Sequence, residues 1–148
     1  MSARAAWRVA TLFGVGAWPI APGTWASLIG AGVGMALHDW SRASYLGLCA
    51  GLCVVAVAVA HAAERSAGTH DDPRIVIDEL VGMLCALAFV DRSQVLWVAG
   101  AFVLFRALDM LKPGPIGMLD RRVRGGLGVV LDDVAAGAVA ACVLALLA

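Results

Sequence analysis

The chain has 148 residues, 61% of them hydrophobic, and its eleven basic and eleven acidic side chains cancel to a net charge of zero. That apolar share exceeds the roughly 45–50% of ordinary globular domains, and with a mean hydropathy of +0.87 it points to one membrane-embedded domain spanning 1–148. No overall basic field and no nucleic-acid-binding motif is present, which excludes DNA and RNA as partners.

The first stretch, MSARAAWRVATLFGVGAWPIA, has the basic start and apolar run of a signal peptide. Pro19 and Pro22 break it and no polar mature start comes after it, so it is expected to stay on the protein. Five apolar segments come next: Thr24–Leu37, Ala43–Ala63, Leu80–Val90, Ser93–Phe105 and Val134–Ala148. They are predicted as helices, because an open strand edge in lipid leaves backbone groups unpaired. Only the second reaches the roughly 20 residues of a straight crossing; the others cross only by extending into polar flanks, tilting or thinning the bilayer. The expected fold is therefore all-α, a polytopic membrane helical bundle with short and tilted or partial spans. Gly30 with Gly34, and Gly47 with Gly51, have the spacing that lets membrane helices approach closely. Cys49, Cys53, Cys85 and Cys142 lie in apolar runs without CxxC spacing and are expected as small buried hydrophobes.

If each segment crosses once, alternate connections share a side. One side then receives Arg4, Arg8, Arg65, Arg74, Arg106, Lys112, Arg121, Arg122 and Arg124, and the other only Arg42 and Arg92. By the positive-inside rule the first side is cytoplasmic. The acids, which that rule does not use, divide the same way: Glu64, Asp71, Asp72, Asp78, Glu79, Asp109, Asp120, Asp132 and Asp133 against Asp39 and Asp91. Polar chemistry is thus gathered at one membrane face.

Three constellations supply it. In HDDPRIVIDELVG, residues 70–82, Asp78 and Glu79 fall in the first turn of a helix, where carboxylates complement the dipole. Capping does not require two adjacent acids at a lipid boundary, and the surplus suggests a cation. In FRALDMLKPGP, residues 105–115, Arg106 and Asp109 share a helix face, and Lys112 precedes the proline that stops the helix. An intrahelical ion pair accounts for the first two; a phosphate held by guanidinium and ammonium accounts for all three. In DRRVRGGLGVVLDDVAAG, residues 120–137, a basic cluster and a glycine pair precede Asp132 and Asp133, which open the last apolar segment. The basic cluster suits anionic lipid headgroups without catalysis as well as it suits a substrate. Carboxylates from separate segments are ligands for Mg²⁺, and the cations beside them suit a phosphoryl group. Ion or proton transport shares these features.

The motifs PIAPGTWASL (19–28), HDDPRIVIDELVGM (70–83) and FRALDMLKPGPIGMLDRRVRGGLGVVLDDVAAG (105–137) resemble the phosphatidylglycerophosphatase A family of bacterial membrane enzymes. The resemblance implies Mg²⁺-dependent hydrolysis of phosphatidylglycerophosphate to phosphatidylglycerol in the bacterial inner membrane, with the site facing the cytoplasm and membrane lipids around it. It implies Asp78, Glu79, Asp132 and Asp133 as metal carboxylates, with Asp109 also catalytic. For the substrate it implies Arg106 and Lys112, joined by Arg121, Thr24 and His70. Two positions depart from the family pattern: Gly114 stands where a large aromatic is common, and Ala26 where glycine is common. Direct attack by water and an aspartyl phospho-enzyme both remain open. A small ion-coupled transporter and a non-enzymatic anionic-lipid-binding protein are the rival classes; the motif of CDP-alcohol phosphotransferases is missing.

Overall fold

The computed structural model describes residues 2–68, 72–123 and 125–147. In chain order the elements are α1 (Ala3–Ala10), a 3₁₀ segment (Leu12–Ala17), α2 (Pro22–Ala36), α3 (Arg42–Ala67), α4 (Ile77–Ala86), α5 (Val95–Leu111), α6 (Pro115–Arg122) and α7 (Gly126–Ala145). No strand occurs among the described residues, so the membrane protein is all-α as expected.

Helices α3 and α7, with 26 and 20 residues, are long and apolar enough to cross a bilayer. Helices α2, α4 and α5 have 15, 10 and 17 residues and fall short of the roughly 20 that a straight crossing needs. The last segment corrects the expectation from sequence. Its helix starts at Gly126, not at Val134, because GLGVVL is itself apolar and extends the hydrophobic run toward the N-terminus. Asp132 and Asp133 therefore lie inside a helix and not at its start.

Helix α7 is the hub, packing on α3, α4, α5 and α6, while α4 is enclosed by α2, α3, α5 and α7. The α4–α7 crossing depends on two glycines: a Cβ on Gly137 would fall on the Gly82 carbonyl oxygen, and one on Gly82 would lie 2.8 Å from the Asp133 carbonyl oxygen. Gly30 likewise lets α2 rest on α4, since its Cβ would stand 2.9 Å from the Leu80 carbonyl oxygen. Gly47 and Gly51 face open space, so that pair packs against nothing in the described residues. Cys49 is buried and Cys53 and Cys85 are partly so, but Cys142 is exposed, contrary to expectation, because it sits on the outer face of α7.

Two apolar clusters hold the bundle. One, around Tyr45, Met83, Leu84, Leu87 and Phe105, joins α3, α4 and α5; the other, around Ala56, Val59, Ile77, Val81 and Val130, joins α3, α4 and α7. The ends are tied by polar contacts. Asp72 accepts bonds from the Arg74 backbone N–H and from its Nε and Nη2 at 3.0, 2.8 and 2.8 Å, and the same guanidinium lies 4.8 Å over the Trp7 ring. These contacts fix the loop that enters α4. At the opposite end the buried Arg92 donates to the carbonyls of Leu37 and Trp40 at 3.3 and 2.9 Å.

Gly23 meets Glu79, His61 meets Gly126, and Lys112 meets Asp132. The starts of α2, α4 and α7 and the ends of α3 and α5 thus converge at one end of the bundle.

Candidate active site

Asp78 and Glu79 occupy the first turn of α4, where the exposed N–H groups and helix dipole favour negative charge. Asp133 comes from the interior of α7. Carboxylate oxygens of Asp78, Glu79 and Asp133 all lie within 4.8 Å of one another. Asp78 Oδ1, Glu79 Oε2 and Asp133 Oδ2 are each buried without a hydrogen-bond donor. Three acidic oxygens sequestered together carry a large desolvation and repulsion cost, which a divalent cation would offset; hard oxygen donors are the set that Mg²⁺ takes. The residues present therefore fit such an ion.

Positive charge stands beside this cluster. Lys112 closes α5 in the left-handed region, φ 43°, an uncommon conformation for a residue with a Cβ. Its Nζ lies 2.6 Å from Asp132 Oδ2. Nearly two turns back, Arg106 Nη1 donates to Asp109 Oδ2 at 2.6 Å, both side chains more than four-fifths buried. A cavity of about 140 Å³ is lined by Asp78, Glu79, Asp109, Lys112, Asp132 and Asp133.

Helix α4 is too short to cross the membrane, and both of its acids are shifted upward. Burial first, then repulsion from Glu79 and Asp133, holds the Asp78 carboxyl well above the usual carboxylate range. Burial also raises Glu79, opposed by its hydrogen bond with Asp78.

Of the residues singled out from sequence, six line this one cavity. Asp132 differs from its expected grouping: its Oδ2 is held by Lys112, and the mutual cluster consists of Asp78, Glu79 and Asp133. Adjacent helix positions point about 100° apart, so the two aspartates diverge. Arg106 sits behind the cavity on Asp109. Thr24 is half-buried in the first turn of α2, next to Gly23, whose Cβ would collide with Glu79 Oε1. His70 and the side chain of Arg121 lie outside the described residues. Of the two departures, Gly114 has φ +49°, a backbone state that a large aromatic adopts only with strain, and Ala26 is fully buried, so a small residue belongs there.

Sequence reasoning missed the Gly82–Gly137 crossing, which sets how near α4 brings its acids to Asp133. A signal existed: Gly137, Ala140 and Ala141 form a stripe of small buried residues on α7, the kind that permits close helix approach.

The family model for phosphatidylglycerophosphatase A matches residues 8–148. The chain is 40% identical over 137 residues to phosphatidylglycerophosphatase A of Escherichia coli strain K12, covering 89% of this chain and 77% of that one. It is 35% identical over 133 residues to the Haemophilus influenzae protein of the same name, covering 89% and 82%. A proposed phosphatidylinositol-3-phosphatase of Bacteroides thetaiotaomicron is 34% identical over 139 residues, covering 87% and 84%. No solved structure matches the chain.

Proposed function

The chain belongs to the phosphatidylglycerophosphatase A family, and we propose that it hydrolyses the terminal phosphate of phosphatidylglycerophosphate, with Mg²⁺, at the cytoplasmic face of a bacterial inner membrane. The observation that carries this reading is the trio of donor-less buried carboxylate oxygens beside the Lys112 ammonium. Asp78, Glu79 and Asp133 would hold the ion, which when bound supplies charge to polarise the phosphoryl group and to acidify water.

The chain's own residues do the rest. Lys112, positioned by Asp132, offers a point charge to the phosphate oxygens, and Arg106 adds a second cation behind Asp109. Asp109 faces the cavity and is the carboxylate available to take a proton from water as it attacks phosphorus. The phosphorus–ester oxygen bond then breaks and the lipid alkoxide leaves as the alcohol, taking up the proton that Asp109 removed from water. Arg65 in the last turn of α3, Arg74 in the loop before α4, and Arg106 and Lys112 toward the end of α5 stand at the site end, against Arg42 and Arg92 at the other, which supports the cytoplasmic orientation.

The test is phosphate release by the detergent-purified protein from phosphatidylglycerophosphate, with Mg²⁺ and with excess chelator, and with phosphatidylinositol 3-phosphate as comparison substrate. Mg²⁺-dependent release from the first lipid is expected. Release that persists in chelator would overturn the metal assignment, and release from the inositol lipid alone would overturn the substrate.

A further inference from the structure

We propose that the groove between α2 and α5 holds one acyl chain of the lipid whose phosphate enters the acidic cavity, an inference that rests on the lipid-phosphatase reading. The groove has a volume of about 390 Å³, and its walls, from Leu28, Gly32 and Met35 on α2 and Val95, Ala99 and Phe102 on α5, are apolar. Its place relative to the cavity decides its occupant. Helix α2 begins beside Glu79 and α5 ends beside Asp132, so the two helices run antiparallel with the cavity at one end of the groove. On α5 the groove residues Val95, Val98 and Phe102 continue at spacings of three or four into Arg106 and Asp109, which places all five on one helix face. From Val103, the last groove residue, to Asp109, which lines the cavity, is a rise of about 9 Å along the same helix.

On α2 the same spacing leads from Met35 and Gly32 through Leu28 to Trp25. Trp25 is 44% exposed and meets Trp18 edge-on at 5.3 Å between centroids, in keeping with aromatic residues at the headgroup level. A ligand that fills cavity and groove together has an anionic phosphate head and an apolar tail, which is a phosphorylated lipid. A second apolar groove, between α3 and α7, has no such continuity: its α7 residues Leu127, Val130, Leu131 and Val134 lie on the face of that helix opposite Gly128, Val129, Asp132 and Asp133.

Gly32 gives the groove part of its width, since a Cβ there meets nothing within 4 Å. Gly32→Trp should fill it, and Gly47→Trp, at an exposed α3 position that is also open, is the matched control. The quantity to measure is kcat/KM for dipalmitoyl over dihexanoyl phosphatidylglycerophosphate in mixed micelles. We expect this ratio to fall by about tenfold in Gly32→Trp, the scale of a mis-sized apolar pocket, and to hold in Gly47→Trp. Hydrolysis of both lipids by Gly32→Trp with the wild-type ratio would overturn the groove assignment and leave the phosphatase reading intact. Release from neither lipid by the wild-type protein would overturn both. Independently of any variant, a phosphatidylglycerophosphate with a diazirine near the acyl terminus should crosslink within 28–35 or 95–103 of the wild-type protein; crosslinks confined to α3 and α7 would reject the groove.

Discussion

Asp132 and Asp133 are sequence neighbours that meet different partners, because consecutive positions on α7 diverge by about 100°. Asp133 points to Asp78 and Glu79, and Asp132 to Lys112. Substitutions at these positions should therefore differ in kind. Asp133→Asn removes a charge from the cluster and should lower kcat by about a hundredfold or more in a protein that still folds, as read by phosphate release and thermal unfolding in detergent. Lys112→Ala should instead raise KM by about tenfold or more, the scale of a lost charged contact, while the Mg²⁺ concentration for half-maximal activity stays within about twofold. Unchanged KM and kcat in Lys112→Ala would remove that residue from phosphate binding.

At the level of elements, the site depends on how closely α4 can lie on α7. Gly137→Leu forces a side chain into the Gly82 carbonyl and should destabilise the protein by about 1–3 kcal/mol as overpacking does, lowering Tm and kcat together because α4 carries Asp78 and Glu79. Helix α4 also brings a pH dependence. Its two carboxyls have folded-state pKa values above their unfolded ones. Between those values the folded chain binds more protons than the unfolded chain, so in chelator stability should fall as pH rises from the ordinary carboxylate range. A divalent cation replaces those protons. The rise in Tm on adding Mg²⁺ should therefore be largest at the alkaline end and fade toward acid pH; a shift independent of pH would show that the cation binds elsewhere.

The whole molecule is polarised along its axis. The acidic cavity lies where α2, α4 and α7 begin, whereas Arg92, bound to the carbonyls of Leu37 and Trp40 and packed 4.0 Å over the Tyr45 ring, closes the other end. With the native cysteines replaced, Arg65→Cys and Asp39→Cys report the two ends at exposed positions. A membrane-impermeant maleimide should label Arg65→Cys in inverted vesicles and Asp39→Cys in right-side-out ones. The reverse pattern would put the site outside the cytoplasm.

Much of this was legible along the chain. Helical class follows from the apolar runs, since only self-satisfied backbone is tolerated in lipid. The Arg106–Asp109 pair and the acidic first turn of α4 follow from local spacing, which a helix converts directly into direction. The start of α7 was misplaced because charge was read as a boundary, yet a buried helix accepts an aspartate pair when both acids face a polar cavity and not lipid.

By itself, then, the sequence determined the helices, their polar ends and which residue types carry charge, because each depends on neighbours within a turn or two. Only the tertiary structure decided that Asp133 joins Asp78 and Glu79 while Asp132 turns to Lys112, and that an apolar groove opens between α2 and α5. Those outcomes depend on the distance at which helices far apart in sequence can pack, which at Gly82 and Gly137 is set by side chains that are not there.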